Sequence, residues 1–223
     1  MATDEDASHR SERAVVIDAA ADLVRRGVLS LSGHGNFSVR LEQERMLLTS
    51  SGFAPVLSPE ALAVVRFDGE VDDGRLTSAT REIVPMHTAI YVARPEVNSV
   101  VHTHSPHLTA FALSQRPLPC RYEALLRKGQ GEAVPVVPWA PRGSERSTRG
   151  IRDALARCPL TSAVLLGNHG VLVFGASAPA AATLLVLLEE AAAAELLAAA
   201  IGGAADLPDE ALEDVRRSMA QAR

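Results

Sequence analysis

Cysteine is scarce in this sequence, which limits its role in the fold. The chain contains two cysteines, Cys120 and Cys158, and they lack the CxxC spacing of a redox motif or a zinc site. We therefore expect both thiols to be reduced, as is usual in a cytosolic protein.

An excess of positive charge is also missing. Lys and Arg together number 22 against 27 Asp and Glu, which gives a formal net charge of -5 at pH 7. A general nucleic-acid-binding protein usually carries a basic face, so this balance argues against that class. A local phosphate pocket lined by backbone amides remains compatible with it.

The chain has no long hydrophobic run that is free of charge. The stretch 178–201 comes closest, but it contains Glu189, Glu190 and Glu195. An acidic side chain at the centre of a membrane span costs about 2.5–3.5 kcal/mol, so we expect a helix of a water-soluble fold. The N-terminal residues are polar and acidic, unlike a signal peptide, and residues 1–9 are predicted to form a flexible tail. These features favour a cytoplasmic protein without membrane or nucleic-acid partners.

Long linkers rich in glycine or serine and internal repeats are absent as well, so we expect one domain over residues 1–223. Predicted helices and strands alternate, which indicates an α/β fold with a central sheet flanked by helices. Hairpin-like connections favour a sheet that is largely antiparallel or mixed. One helix is predicted over residues 82–93, with a cap at Ser78 or Thr80 and with Pro85 in its first turn.

What the sequence does have is a concentration of histidine after that helix. Val100, His102 and His104 should share one face of a strand, because side chains alternate along a strand with a period of two. Two imidazoles placed in this way can reach one cation. The best third ligand is His169, in the segment Gly-Asn-His-Gly. Three neutral histidines with one open position are typical of catalytic zinc sites.

Four motifs with these residues resemble the class II aldolase/adducin family, and within it the fuculose-phosphate type of aldolase. They are Gly-Asn-Phe-Ser-Val-Arg at 35–40, Leu-Thr-Ser-Ser-Gly at 48–52, the segment from His87 through His104-Ser-Pro, and Leu-Gly-Asn-His-Gly at 166–170. Their order and spacing extend over most of the chain. The resemblance implies a single α/β/α sandwich on a mostly antiparallel sheet, assembled as a homotetramer with active sites between subunits.

The resemblance also implies roles for individual residues. It makes His102, His104 and His169 the ligands of one divalent ion, with Zn²⁺ expected and Fe²⁺, Co²⁺ and Mn²⁺ as alternatives. It makes Asn36, Ser51 and Gly52 phosphate-binding residues, and it makes Tyr122 a catalytic residue that a neighbouring subunit contributes.

One departure from the family pattern concerns the expected acid–base residue. Aldolases of this family carry a glutamate four residues before the histidine that matches His87, and that place is Ile83 here. Glu82 lies one residue earlier and is the candidate for proton transfer. The preceding segment, in which Ser78 and Thr80 are candidates for substrate binding, is also altered.

The leading hypothesis is therefore a metal-dependent lyase that cleaves a carbon–carbon bond of a small hydroxy-carbonyl substrate through a metal-stabilised enediolate. Decarboxylation of a β-keto acid, in which Arg81 would meet the carboxylate, and epimerisation are alternatives on the same scaffold. An adducin-like interaction module without chemistry is the alternative from another class.

Overall fold

One eight-stranded sheet forms the centre of the structure, in the order β4-β3-β2-β1-β5-β8-β7-β6. The computed structural model describes residues 9–42 and 44–221, so the predicted N-terminal tail lies outside the described residues except for His9. Neighbouring strands are antiparallel apart from β6 and β7, which are parallel. The strands are β1 Gly35–Leu41, β2 Arg45–Thr49, β3 Leu62–Arg66, β4 Val71–Asp73, β5 Ser99–Thr103, β6 Val136–Val137, β7 Ala163–Leu166 and β8 Gly170–Gly175.

Helices cover both faces of this sheet and create two separate cores. The first core packs α1, α4 and α7 against one face, and the second packs α3 and α6 against the other. This arrangement confirms the predicted α/β/α fold with a mostly antiparallel sheet. The helices are α1 Arg10–Arg25, α2 Ser78–Arg81, α3 Val84–Ala93, α4 Pro106–Leu113, α5 Glu123–Leu126, α6 Glu145–Arg157, α7 Ala178–Ala198 and α8 Ala211–Gln221, with short 3-10 turns at Pro59–Ala61 and Ala199–Ile201.

The alternation along β5 decides where its histidine points. Val101 belongs to the core beneath α1, α4 and α7, whereas Val100 belongs to the core beneath α3 and α6. Because His102 follows Val100 by two residues, it faces the second side of the sheet. The strand ends at Thr103, so His104 lies in the connection to α4 rather than in the strand, where the sequence pattern had suggested it.

The predicted helix over residues 82–93 is shorter than expected, and its predicted caps are wrong. Thr77 caps the separate short helix α2 by accepting a hydrogen bond from the Thr80 amide at 3.2 Å, and α3 begins only at Val84. Pro85 explains the break, because its ring would collide with the carbonyl four residues earlier in a continuous helix. Glu82 consequently lies between two helices.

The Ala- and Leu-rich stretch forms α7, which packs on the sheet as predicted. Its Glu189 is buried and accepts hydrogen bonds from the His107 and Leu108 amides at 2.9 and 3.0 Å, at the start of α4. Within residues 9–42 and 44–221, no helix is long and apolar enough to cross a membrane. Cys120 and Cys158 are both free thiols.

Candidate metal centre and active site

Four histidine rings from three separate places in the chain converge beside the centre of the sheet. The ring centroids of His102 and His104 are 5.1 Å apart, and that of His169 lies 4.7 Å from the former and 4.8 Å from the latter. His34, in the turn before β1, stacks on His104 with centroids 4.3 Å apart and an interplanar angle of 19°. The three predicted ligands are therefore brought together, and a fourth ring joins them.

The nitrogen atoms single out one trio within this cluster. One ligand nitrogen each from His34, His102 and His104 lies within 4.8 Å of the others. Among the residues that the structure describes, no other group of three or more His, Cys, Asp or Glu side chains is close enough to hold a metal ion. His169 stands next to the group through its ring contacts. Sequence patterns predicted His169 as the third ligand.

The turn that carries His169 depends on residues with special backbone freedom. Asn168 has a φ of 56°, a left-handed conformation that asparagine tolerates better than most residues. Its side-chain oxygen accepts a hydrogen bond from Gln115 Nε2 at 2.7 Å. A Cβ atom on Gly170 would lie 2.4 Å from the Thr103 carbonyl oxygen and 2.8 Å from His104 Cδ2. Only glycine therefore lets this turn approach the end of β5.

Hydrogen bonding leaves nitrogen lone pairs of the buried rings free for a cation. His102 Nδ1–H donates to the Val171 carbonyl oxygen at 2.9 Å, so its Nε2 is the unprotonated nitrogen. His104 Nε2 is buried and has no hydrogen-bond partner. A buried polar atom without a partner costs about 1–3 kcal/mol, and coordination of a metal ion would remove this cost. The donor set thus fits a divalent metal that accepts imidazole nitrogen.

The surroundings favour the neutral form of these rings, which is the form that binds metals. Burial, followed by the charges of His34, His169 and Arg142, lowers the pKa of His104 to about 4. Burial and then Arg142 and His34 lower the pKa of His169 to about 4. Burial first, and then the other three rings, hold the pKa of His102 well below 6.5. The pKa of His34 is lowered by burial and by Arg142.

Asn36 lies directly opposite His102 in the pairing of β1 with β5, and a buried network holds its side chain. His87 Nε2–H donates to Asn36 Oδ1 at 2.7 Å, and His87 Nδ1 accepts from Ser38 Oγ at 2.7 Å. Ser38 Oγ in turn contacts the Tyr91 hydroxyl at 2.7 Å. His87 is fully buried, so its contribution is to fix Asn36 rather than to meet a ligand directly.

Replacement of His87 by Gln is expected to make folding less sensitive to acid. Burial lowers the pKa of His87 from 6.5 to about 3, so between these values the unfolded chain binds one more proton than the folded chain. The free energy of unfolding therefore falls as the pH drops through this window, by up to about 1.4 kcal/mol per pH unit for this group. Gln keeps a donor and an acceptor but does not titrate.

Urea unfolding of both metal-free proteins, from about pH 7.5 to about pH 4.5, measures this difference. The free energy of unfolding of the His87→Gln variant should depend less steeply on pH than that of wild type. The difference in slope should correspond to about one bound proton. Equal slopes for the two proteins would mean that His87 is not held neutral by burial.

The loop after β2 lies against His34 and includes two of the predicted phosphate-binding residues, Ser51 and Gly52. A Cβ atom on Gly52 would come within 2.9 Å of His34 Cε1, and the Gly52 carbonyl oxygen accepts a hydrogen bond from the Gly35 amide at 3.0 Å. Thr80 is buried and its hydroxyl donates to the Ser50 carbonyl oxygen at 3.1 Å. Ser78 is exposed at the start of α2.

The two predicted catalytic residues lie outside the histidine cluster. Glu82 is half-exposed, and its Oε2 pairs with Arg142 Nη2 at 3.2 Å. Tyr122 is 43% exposed at the N-cap of α5. In the described part of the chain, neither residue is in the group of close ligand atoms.

Arg142 is a residue that the sequence patterns missed. Its guanidinium is close enough to His34, His104 and His169 to lower the pKa of each ring, and it lines one cleft together with His169 and Trp139. Arg81, which the sequence suggested for contact with a carboxylate, lines another cavity with Phe67 and Arg152. A motif could not reveal Arg142, because nothing local distinguishes it from the other arginines in its segment.

Comparison with known proteins agrees with this fold. Residues 14–196 match the family described as "Class II Aldolase and Adducin N-terminal domain". The chain is 30% identical over 167 residues to an L-fuculose phosphate aldolase of Escherichia coli O6:H1, covering 74% of each chain. It is 32% identical over 176 residues to a 3-oxo-tetronate 4-phosphate decarboxylase of Haemophilus influenzae, covering 74% of this chain and 78% of that one.

A solved structure of an L-fuculose 1-phosphate aldolase is also similar, with a TM-score of 0.82 and 26% identity. The superposition covers 95% of this chain and 97% of that one. The sequence match thus spans most of the chain and is accompanied by the same fold. This chain therefore belongs to the class II aldolase and adducin N-terminal domain family.

Proposed function

We propose that the chain is a metal-dependent lyase that breaks a carbon–carbon bond in a small phosphorylated hydroxy-carbonyl substrate. The observation that carries this proposal is the buried His104 Nε2, which has no hydrogen-bond partner within a cluster of neutral imidazoles. The relatives named for L-fuculose phosphate and 3-oxo-tetronate 4-phosphate support a phosphorylated substrate.

His102, His104 and His169 are the residues that would hold the ion. A divalent cation, with Zn²⁺ the first choice and Fe²⁺, Co²⁺ or Mn²⁺ as alternatives, would supply Lewis-acid stabilisation of negative charge on substrate oxygens. The hydrogen bond from His102 Nδ1 to Val171 keeps that ring in the tautomer and orientation that the site needs.

The loop beside His34 is the proposed phosphate site. Ser51 would offer the phosphate its hydroxyl, and both Ser51 and Gly52 would offer backbone amides. Asn36 would add its side-chain amide next to the rings. Thr80 supports this loop through its bond to Ser50 rather than by direct contact, while Ser78 is exposed and free to meet the substrate.

Glu82 is the proposed acid–base residue. Tyr122 of a neighbouring subunit is proposed to transfer the proton of the departing aldehyde. Tyr122 is exposed, as a residue offered to a neighbouring subunit would be, and a homotetramer with sites between subunits is part of this proposal. Arg142 pairs with Glu82 and also lines the cleft that includes His169.

Replacement of Glu82 by Gln is expected to slow turnover by about 10²–10⁴, the range for loss of a positioned acid or base. The metal content should not change, because Glu82 does not belong to the cluster of ligand atoms. Steady-state kinetics and metal analysis of the same preparations measure both quantities. Glu145→Gln, an exposed glutamate at the start of α6, is the matched control. Unchanged turnover in Glu82→Gln would remove Glu82 from the mechanism.

Arg142 favours decarboxylation as the second candidate function. Its cationic side chain lies near three of the four rings, where it could pair with the carboxylate of a β-keto acid. The similarity to the 3-oxo-tetronate 4-phosphate decarboxylase supports this alternative.

Product analysis separates the candidates. The metal-loaded protein would be incubated with L-fuculose 1-phosphate and with 3-oxo-tetronate 4-phosphate. A released aldehyde supports the aldolase, and released CO₂ supports the decarboxylase. A purified protein that binds no divalent ion and transforms neither compound would overturn the proposal and favour an adducin-like interaction module.

A further inference from the structure

We propose that His34 is a ligand of the same metal ion, so that the centre has four imidazole nitrogens and a substrate oxygen would enter as a fifth ligand. This inference rests on the proposed metal centre and extends it by a residue that no sequence pattern selected. His34 precedes β1, far from the histidines of the β5 and β7–β8 segments along the chain, and only the fold brings it to them.

The positions of the nitrogen atoms are the first argument. A ligand nitrogen of His34 lies within 4.8 Å of one on His102 and one on His104, which is compatible with a shared ion after small side-chain adjustments. The ring of His34 stacks on His104 and meets His102 edge-on, with centroids 4.3 and 5.8 Å apart. His34 therefore contacts two of the other three rings in the site.

The second argument is that the backbone holds His34 against the cluster. The backbone of His34 forms an isolated antiparallel β-bridge with that of Phe53, and the Gly35 amide donates to the Gly52 carbonyl oxygen at 3.0 Å. The adjacent Gly33 has a φ of 64° and would collide with Pro55 if it carried a Cβ atom. Gly52 leaves room for the imidazole, since a Cβ atom there would lie 2.9 Å from His34 Cε1. The loop is thus shaped around the ring.

The third argument concerns competing donors. In residues 9–42 and 44–221, no carboxylate or thiolate belongs to the group of close ligand atoms. Glu82 is paired with Arg142 instead. Within the described chain, the donor available beyond His102, His104 and His169 is therefore a nitrogen of His34.

The test compares metal binding in wild type with that in two variants of His34. His34→Ala removes the ring, and His34→Phe keeps an aromatic ring to stack on His104 but has no nitrogen. His107→Ala is the control, because His107 lies outside the cluster and contacts Glu189. Each protein is stripped with a chelator, loaded with Zn²⁺ or Co²⁺, and checked for its fold by circular dichroism.

X-ray absorption of the Zn²⁺ proteins should count four imidazoles in wild type and in His107→Ala, and three in both His34 variants. The Kd for Zn²⁺, measured by competition with a chromophoric chelator, should rise by at least about tenfold in both His34 variants, since even the loss of an outer-shell partner costs 10–100-fold. The visible spectrum of the Co²⁺ proteins should change in the same two variants.

The outcomes separate the two proposals. If wild type binds no ion, the proposed metal centre itself fails. If wild type binds the ion with three imidazoles, and His34→Phe binds it as tightly as wild type, then His34 only stacks on His104 and this inference is overturned while the metal centre stands.

Discussion

His102→Gln is expected to lower turnover by about 10⁴-fold or more and to leave the purified protein without a stoichiometric metal ion. A bound cation contributes several kcal/mol of charge stabilisation, and each 1.4 kcal/mol corresponds to about a factor of ten in rate. His102 is the proposed ligand whose loss should matter most, because it is 1% exposed and its tautomer is fixed by Val171. Gln can still donate to that carbonyl, so the fold should survive.

Metal analysis, turnover and thermal unfolding of the same samples test this prediction. His107→Gln provides the control, since that ring is outside the cluster and about half exposed. A His102→Gln protein that is folded, free of metal and yet fully active would show that the reaction does not depend on the ion. Removal of the ion from wild type by a chelator should reproduce the loss, and addition of Zn²⁺ or Co²⁺ should restore activity only in wild type.

Gly170→Ala is expected to destabilise the protein by about 3 kcal/mol or more and to weaken metal binding, although it adds only one methyl group. Overpacking of a rigid site costs about 1–3 kcal/mol and occasionally more. Here the added Cβ would lie 2.4 Å from the Thr103 carbonyl oxygen, a backbone atom in the sheet, and 2.8 Å from His104 Cδ2. Relief of this overlap must move either β5 or the His104 ring, and both belong to the candidate metal centre.

Gly35→Ala is a matched control for this substitution. Gly35 also lies beside the end of β5, but a Cβ atom there would meet the His102 carbonyl oxygen at 3.4 Å and Thr103 Cγ2 at 3.5 Å, which are ordinary contact distances. Urea unfolding gives the free energy of unfolding of each variant, and competition with a chelator gives the Kd for Zn²⁺. Equal behaviour of the two variants would mean that the close approach of the turn to β5 is not required.

The prediction of the fold succeeded where the signal was periodic. Alternation predicted a strand with Val100, His102 and His104 on one face. The strand is confirmed over Ser99–Thr103, with Val100 and Val101 in opposite cores, whereas His104 lies beyond its end. The helix boundary near Glu82 differs from the prediction, because local preference alone does not show which residue caps a helix or where a proline divides one. In the structure Thr77 takes the cap and Pro85 divides the segment into two helices, which moves Glu82 into the connection between them.

The candidate site was predicted only in part, for a related reason. His102, His104 and His169 lie in recognisable motifs, and their rings do converge. His34 and Arg142 lie in segments whose local pattern carries no information about distance to those rings. Their place near the cluster follows from the strand order, which sets β1 and β5 side by side, and from the loop that pairs Arg142 with Glu82.

The sequence by itself determined the family, the layered α/β architecture and the residues that could supply imidazole ligands, because these depend on spacing and residue type along the chain. The tertiary structure alone decided which histidines share one point in space, which carboxylate is engaged by an arginine, and which glycine must stay small. Those properties depend on the approach of segments that are distant along the chain, and approach distances of a few ångströms are set by the packing of the whole fold.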